Sequence, residues 1–144
     1  MKNLWILILL TAFIPFTSCD KDGEGHNHND DTETEYHAHI MKPADMSEFM
    51  VGDTMHLHID FEEHTGKTIH HVSVIISKKD GDEIIYNKPN DKHIMEDSGS
   101  YEYHDDFVLD VDGHSDWILE AKIWGHEAGS SEVVETIGFH VHPN

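Results

Sequence analysis

Arginine is absent from this chain, and cysteine occurs once, at position 19. Phosphate recognition leans on the planar guanidinium fork and on basic patches, so nucleic acid is excluded as a partner. One cysteine forms neither an intrachain disulfide framework nor a Cys-based zinc site. The one long apolar run, residues 4–14, has eleven residues, too few for a helix to cross a ~30 Å hydrocarbon layer. No segment carries the 3.6-residue stripe of an amphipathic helix. G-x-S-x-G, the phosphate loop and H-E-x-x-H are missing too; His126-Glu127 runs on into Ala128-Gly129-Ser130-Ser131. The expectation is a non-catalytic module, and 144 residues suffice for one domain.

The start has the layout of a secretion signal over residues 1–18: Lys2, the apolar run, then Thr17 and Ser18 before Cys19. This resembles the lipobox of bacterial lipoproteins, in which the cysteine is lipidated and the chain is cut just before it. Phe16 stands where that family usually has leucine. The resemblance implies a chain anchored through Cys19 to the lipid bilayer of the bacterial cell envelope, on the outer membrane. Residues 19–35 form an acidic tether with His26 and His28 and, from position 20 on, no aliphatic or aromatic side chain, so nothing there can join a core. Acidic residues directly after the cysteine also resemble the sorting signal with which some Gram-negative groups expose lipoproteins at the cell surface. From Cys19 onward there are 8 basic and 29 acidic residues, a formal charge of −21 with histidine neutral. An anionic membrane surface repels such a domain, which leaves attachment to the lipid, while the acidic surface concentrates cations.

From position 36 the pattern alternates with period two, and turn residues recur every 8–14 positions. This predicts strands over residues 36–41, 54–61, 69–77, 83–86, 101–109, 117–124 and 133–141. Met55, Leu57, Ile59 and Phe61 point inward in the second strand, Val72, Val74 and Ile76 in the third. Asp80-Gly81 marks a hairpin. Residues 87–99 are the least readable. About seven short strands in residues 36–144 predict an all-β, antiparallel two-sheet sandwich. Lys42-Pro43-Ala44-Asp45, Val51-Gly52-Asp53-Thr54, Trp117-Ile118-Leu119-Glu120-Ala121 and Phe139-His140-Val141 resemble the signposts of bacterial immunoglobulin-like domains. That resemblance implies adhesion, spacing or ligand binding, and seldom catalysis.

Histidine is the outstanding residue: fifteen, all after Cys19, a bias that points to metal. Four H-x-H pairs occur, at 26/28, 37/39, 56/58 and 140/142. On a strand such a pair shares one face, about 6.6–6.8 Å apart, close enough to lean onto one ion. The inward alternation of Tyr36, Ala38 and Ile40 leaves His37 and His39 outward, and that of the second strand leaves His56, His58 and Asp60 outward. Setting His39 opposite His56 and His37 opposite His58 predicts a four-imidazole grid, flanked by Glu102, His104 and Asp106 of the fifth strand. Zinc and copper suit such borderline ligands. A second group, His64, His70, His71 and His126, is expected where loops gather at one end of the sandwich. His140 and His142 could stand free.

Met55 alternates with core residues, and Met46 and Met50 are expected to plug the loop beside Phe49. His37-Ala38-His39-Ile40 with Pro43-Ala44-Asp45 also resembles the start of periplasmic copper-resistance carrier proteins. Asp80-Gly81-Asp82 and Asp110-x-Asp112-Gly113 read as turns rather than calcium loops. Asp105 is expected on the inner face beside Tyr103 and Phe107, bonded to a tyrosine. Two functions compete, an envelope module that captures divalent zinc or copper and a structural or adhesive surface module with no metal role, ahead of a third, a metal-dependent hydrolase. An envelope or surface protein partner is compatible with either.

Overall fold

The structure is a computed structural model that describes residues 35–66, 68–94, 99–126 and 132–144, all within the unit Asp31–Asn144. The signal segment, Cys19, the tether to residue 34 and its His26 and His28 lie outside the described residues. Nine strands follow in order: β1 (Tyr36–Lys42), β2 (Ser47–Met50), β3 (Thr54–Glu63), β4 (His71–Lys78), β5 (Ile84–Asn87), β6 (Lys92–His93), β7 (Ser100–Val108), β8 (Ser115–Trp124) and β9 (Glu132–His142). The seven predicted strands are all present, with ends displaced by two residues at most. The two additional ones, β2 and β6, have four and two residues, too short for an alternation pattern to register.

One sheet has the order β1-β3-β7; the other runs β2-β9-β8-β4-β5, with β6 on β4. They pack face to face as a sandwich. Period-two alternation makes this possible, because it delivers one apolar face per strand. Met55, Leu57, Ile59 and Phe61 of β3 are buried, as are Val72, Val74 and Ile76 of β4 and Trp117, Leu119, Ala121 and Ile123 of β8. Each large side chain so buried contributes about 1.5–3 kcal/mol relative to exposure. The Asp80-Gly81 turn joins β4 to β5 as predicted, closed by the Lys78 amide on the Glu83 carbonyl at 2.8 Å.

The segment between β1 and β3 does not turn back as a hairpin. It crosses to the other sheet, where β2 runs parallel to β9, with Glu48 opposite His140 and Met50 opposite His142. Phe49 is the anchor, its ring edge-on to Phe139 at 5.7 Å. This corrects the reading of the methionines as a plug. Met50 is 40% exposed because alternation about an inward Phe49 sends it out, and Met46 is 79% exposed in the left-handed turn before β2, at φ 61°.

Asp105 sits on the inner side of β7 as predicted. Tyr86 Oη donates to its Oδ2 at 2.6 Å and Tyr103 Oη at 3.3 Å, and the two phenols also bond each other. The Tyr86 bond, supported by the Asp106 amide, holds the Asp105 carboxyl below the usual carboxylate range against the opposing effect of burial. Burial and the same carboxylate push Tyr86 up. A depressed folded-state pKa means stability present above the unfolded value, near 3.9, and lost as pH falls through the folded one. Asp105→Asn, which keeps the shape but not the charge, is expected to lower stability at pH 7 by about 1–3 kcal/mol. It should also flatten the acid limb below pH 4. Urea denaturation across that range checks both; an unchanged acid limb would remove Asp105 as its cause.

Candidate metal centres

The outward faces are as the alternation predicts, but the register between β1 and β3 is not. His39 lies opposite Asp60 and His37 opposite Glu62, while His58 faces Lys42 past a bulge between Ile40 and Lys42. The four-imidazole grid of His37, His39, His56 and His58 therefore does not form. The offset is four residues, an even number, so every side chain keeps its face while each meets a different neighbour. The crossing of β2 to the second sheet is the physical reason: no short turn ties the end of β1 to the start of β3. His37 instead stacks on His39 at 5.9 Å and meets His64 edge-on at 4.8 Å.

On the other flank of β3 the expectation and the structure agree. His58 pairs with His104 and His56 with Asp106. The rings of His58 and His104 are 4.2 Å apart, and with Glu102 they bring three ligand atoms within 4.8 Å of one another. His56 Nδ1 donates to Asp106 Oδ1 at 2.6 Å and His58 Nε2 to Asp60 Oδ1 at 3.0 Å. Asp106 and Asp60 thus stand behind His56 and His58 on an open face.

The end of the sandwich carries a different group. His70 immediately precedes β4, His93 closes β6, and His126 follows β8 across Gly125. Because β4 lies between β6 and β8, with His71 opposite both His93 and Trp124, these three strand ends are neighbours. The Ile94 amide bonds the His70 carbonyl at 2.7 Å and fixes the approach of β6. Ring centroids are 5.3 Å apart for His70 and His126, and 5.8 Å for His93 with either. Their ligand atoms lie within 4.8 Å of one another. A shared zinc with bonds of ~2.0–2.1 Å needs roughly 3.4 Å between ligand atoms, a closure that modest side-chain rotation supplies.

The fourth imidazole, His71, stacks on Trp124 at 5.3 Å and stands 5.1 Å from His93. Its Nδ1 donates to Asp91 Oδ1 at 2.7 Å, which leaves Nε2 free. A carboxylate behind an imidazole is the usual outer support of a metal-binding histidine. The Asp91 backbone is left-handed, φ 53°, the turn that brings this carboxylate back onto β4.

His70 is the most telling member. Its Nδ1 is buried and has no hydrogen-bond partner among the described residues, a state that costs about 1–3 kcal/mol when left unsatisfied. Burial lowers its pKa first, and the neighbouring His126, His93 and His71 lower it further. The neutral imidazole, which is the metal ligand, is thereby favoured. Eight described histidines have a carboxylate close by. Among the described residues five have none: His70, His93 and His126 of this group, and His39 and His114 elsewhere.

Of the loop group expected from sequence, His70, His71 and His126 come together and His64 does not. Because β3 continues to Glu63, His64 extends the other sheet, where its Nε2 lies 3.1 Å from Glu62 and its amide bonds the Glu35 carbonyl. His93 was missed, since a two-residue strand leaves no pattern. A third group, His114, His140 and His142, gathers where β8 begins and β9 ends, its ligand atoms also within 4.8 Å. His140 and His142 are thus not free, and His114 was missed. The hairpin-like adjacency of the last two strands was the available signal, since it sets the start of one beside the end of the other. No protein-family model and no curated protein matches the chain.

Proposed function

We propose that this chain is a lipid-anchored protein of the bacterial cell envelope whose immunoglobulin-like sandwich captures a divalent transition metal, zinc or copper. His70, His93 and His126 are the ligands of its principal site, with His71 supporting them. The observation that carries this reading is the buried, unpartnered Nδ1 of His70 within a convergence of three imidazoles. A metal bond satisfies that atom and removes the cost of leaving it bare. Three imidazoles leave a fourth tetrahedral position for water or an exchangeable ligand, which suits capture and release. The acidic surface raises the local concentration of cations, and histidine without cysteine thiolate suits borderline ions.

The partition of the strands, with first, third and seventh in one sheet, supports the immunoglobulin-like reading. The role is that of a binding module and not an enzyme. Cys19 carries the lipid, and a partner protein in the envelope would accept the metal.

Calorimetric zinc titration of the full chain tests the site. His70→Gln with His126→Gln is expected to abolish one equivalent of binding while leaving the melting temperature of the metal-free protein within a few degrees. An unchanged stoichiometry and affinity would remove these residues as ligands. Binding no tighter than that of a generic histidine-rich peptide would favour the structural or adhesive module instead.

A further inference from the structure

The group at the far end of β8 is built from different parts. His114 sits in the left-handed region at φ 57°. A side chain other than glycine is uncommon there, and holding one costs on the order of 1–3 kcal/mol. Its neighbour Gly113 cannot carry a side chain, because a Cβ would stand 2.6 Å from the backbone of Pro143. That close approach presses the turn before β8 against the residues after β9. The turn is fixed from inside as well: Trp117 Nε1 donates to Ser115 Oγ at 2.8 Å, and Ser115 Oγ donates to the Asp112 carbonyl at 2.5 Å. On the other side, the Val51 amide bonds the His142 carbonyl at 2.9 Å and Asn144 Nδ2 bonds the Val51 carbonyl at 2.5 Å. His114 and His142 thus face each other from segments held by the core and by β2.

His140 also has the outer support a metal ligand needs. His140 Nδ1 donates to Asp116 Oδ1 at 2.8 Å, which lowers the Asp116 pKa and leaves His140 Nε2 as the free ligand atom. Glu48 Oε2 lies 3.6 Å from His142 Nε2, a carboxylate beside that ring. His140 and His142 rings are 4.6 Å apart, and His114 stands 6.2 and 6.1 Å from them. Carboxylate, imidazole and open ligand atom in series are the pattern that orients histidine toward zinc or copper.

We infer that His114, His140 and His142 form a second transition-metal site, independent of the first and at the opposite end of β8. The first site begins just after Trp124 and this one ends just before Ser115. At ~3.3 Å per residue the two are about 30 Å apart, nearly four Debye lengths at physiological ionic strength. They fill without influencing each other. Occupancy joins the turn before β8 to the end of β9, so the metal also acts as a clasp on the last strand and on β2 beside it.

The inference stands without the first site, and one set of zinc and copper(II) titrations on the full chain separates them. His114→Gln with His142→Gln is expected to remove one equivalent and leave the affinity of the other unchanged. Combining this pair with His70→Gln and His126→Gln removes both. An unchanged stoichiometry in the His114 and His142 variant overturns the second site, whatever becomes of the first. Should that variant fold poorly, hydrogen exchange decides. At zinc a hundredfold above Kd, the Val51 amide is expected to exchange about a hundredfold more slowly than without metal, in the wild type and in the His70 and His126 variant alike. No change in that rate overturns the clasp and the site with it.

Discussion

Zinc or copper(II) is expected to raise the melting temperature strongly at pH 7.5 and much less at pH 5.5. An ion that binds only the folded chain stabilises it by RT ln(1 + [L]/Kd), about 2.7 kcal/mol per site at a hundredfold excess. For a domain of this size that is on the order of 10 °C per site. Imidazole binds metal only without its proton, and ordinary histidine titrates near 6.5. As pH falls below that value protons compete with the metal for the imidazoles, so the site weakens. The same metal concentration then stabilises the fold less.

His70 is the exception among the ligands, since burial and its histidine neighbours lower its pKa. A group neutral in the folded chain and protonated in the unfolded one makes metal-free stability fall as pH drops through about 6.5. The metal-free protein therefore shows a shallow loss in that window, and the metal-loaded protein a steep one. His70→Gln removes the shallow component. Thermal melts at both pH values, with and without metal, check the pair of slopes. A metal-induced gain of equal size at pH 5.5 and 7.5 would rule out imidazole ligation.

Cys19→Ser is expected to move the protein from the membrane fraction to the soluble fraction completely, and to remove the added lipid mass. An acyl chain contributes about 0.8 kcal/mol for each CH2 it buries in the bilayer. The formal charge of −21 from Cys19 onward is repelled by an anionic leaflet and does not replace it. Among the described residues no helix is long and apolar enough to cross a membrane. Cell fractionation with intact-mass analysis measures both outcomes. Retention of Cys19→Ser in the membrane fraction, or a wild-type mass without lipid, would defeat the lipoprotein reading.

Alternation is a local property, so the sequence by itself determined which residues face the core. Met55 through Phe61, Val72 through Ile76 and Trp117 through Ile123 are buried at the positions the period-two pattern selects. Asp105 is inward with its tyrosines for the same reason. That His56, His58 and His104 share one outward face followed from parity alone. What parity cannot supply is register. An even shift keeps every face and changes every neighbour, and the four-residue offset of β1 came from a connection that leaves the sheet to pair β2 with β9. The principal site was legible only in part for a related reason: His70, His71 and His126 were expected together, His93 was not and His64 lies elsewhere. His70, His93 and His126 are distant in sequence and meet only because β6, β4 and β8 lie side by side. His114 reaches His142 only because Gly113 lets Pro143 approach. Burial direction is written residue by residue, whereas a metal site is a meeting of strand ends. Tertiary structure alone decides which ends meet, because the connections that bring them together are non-local.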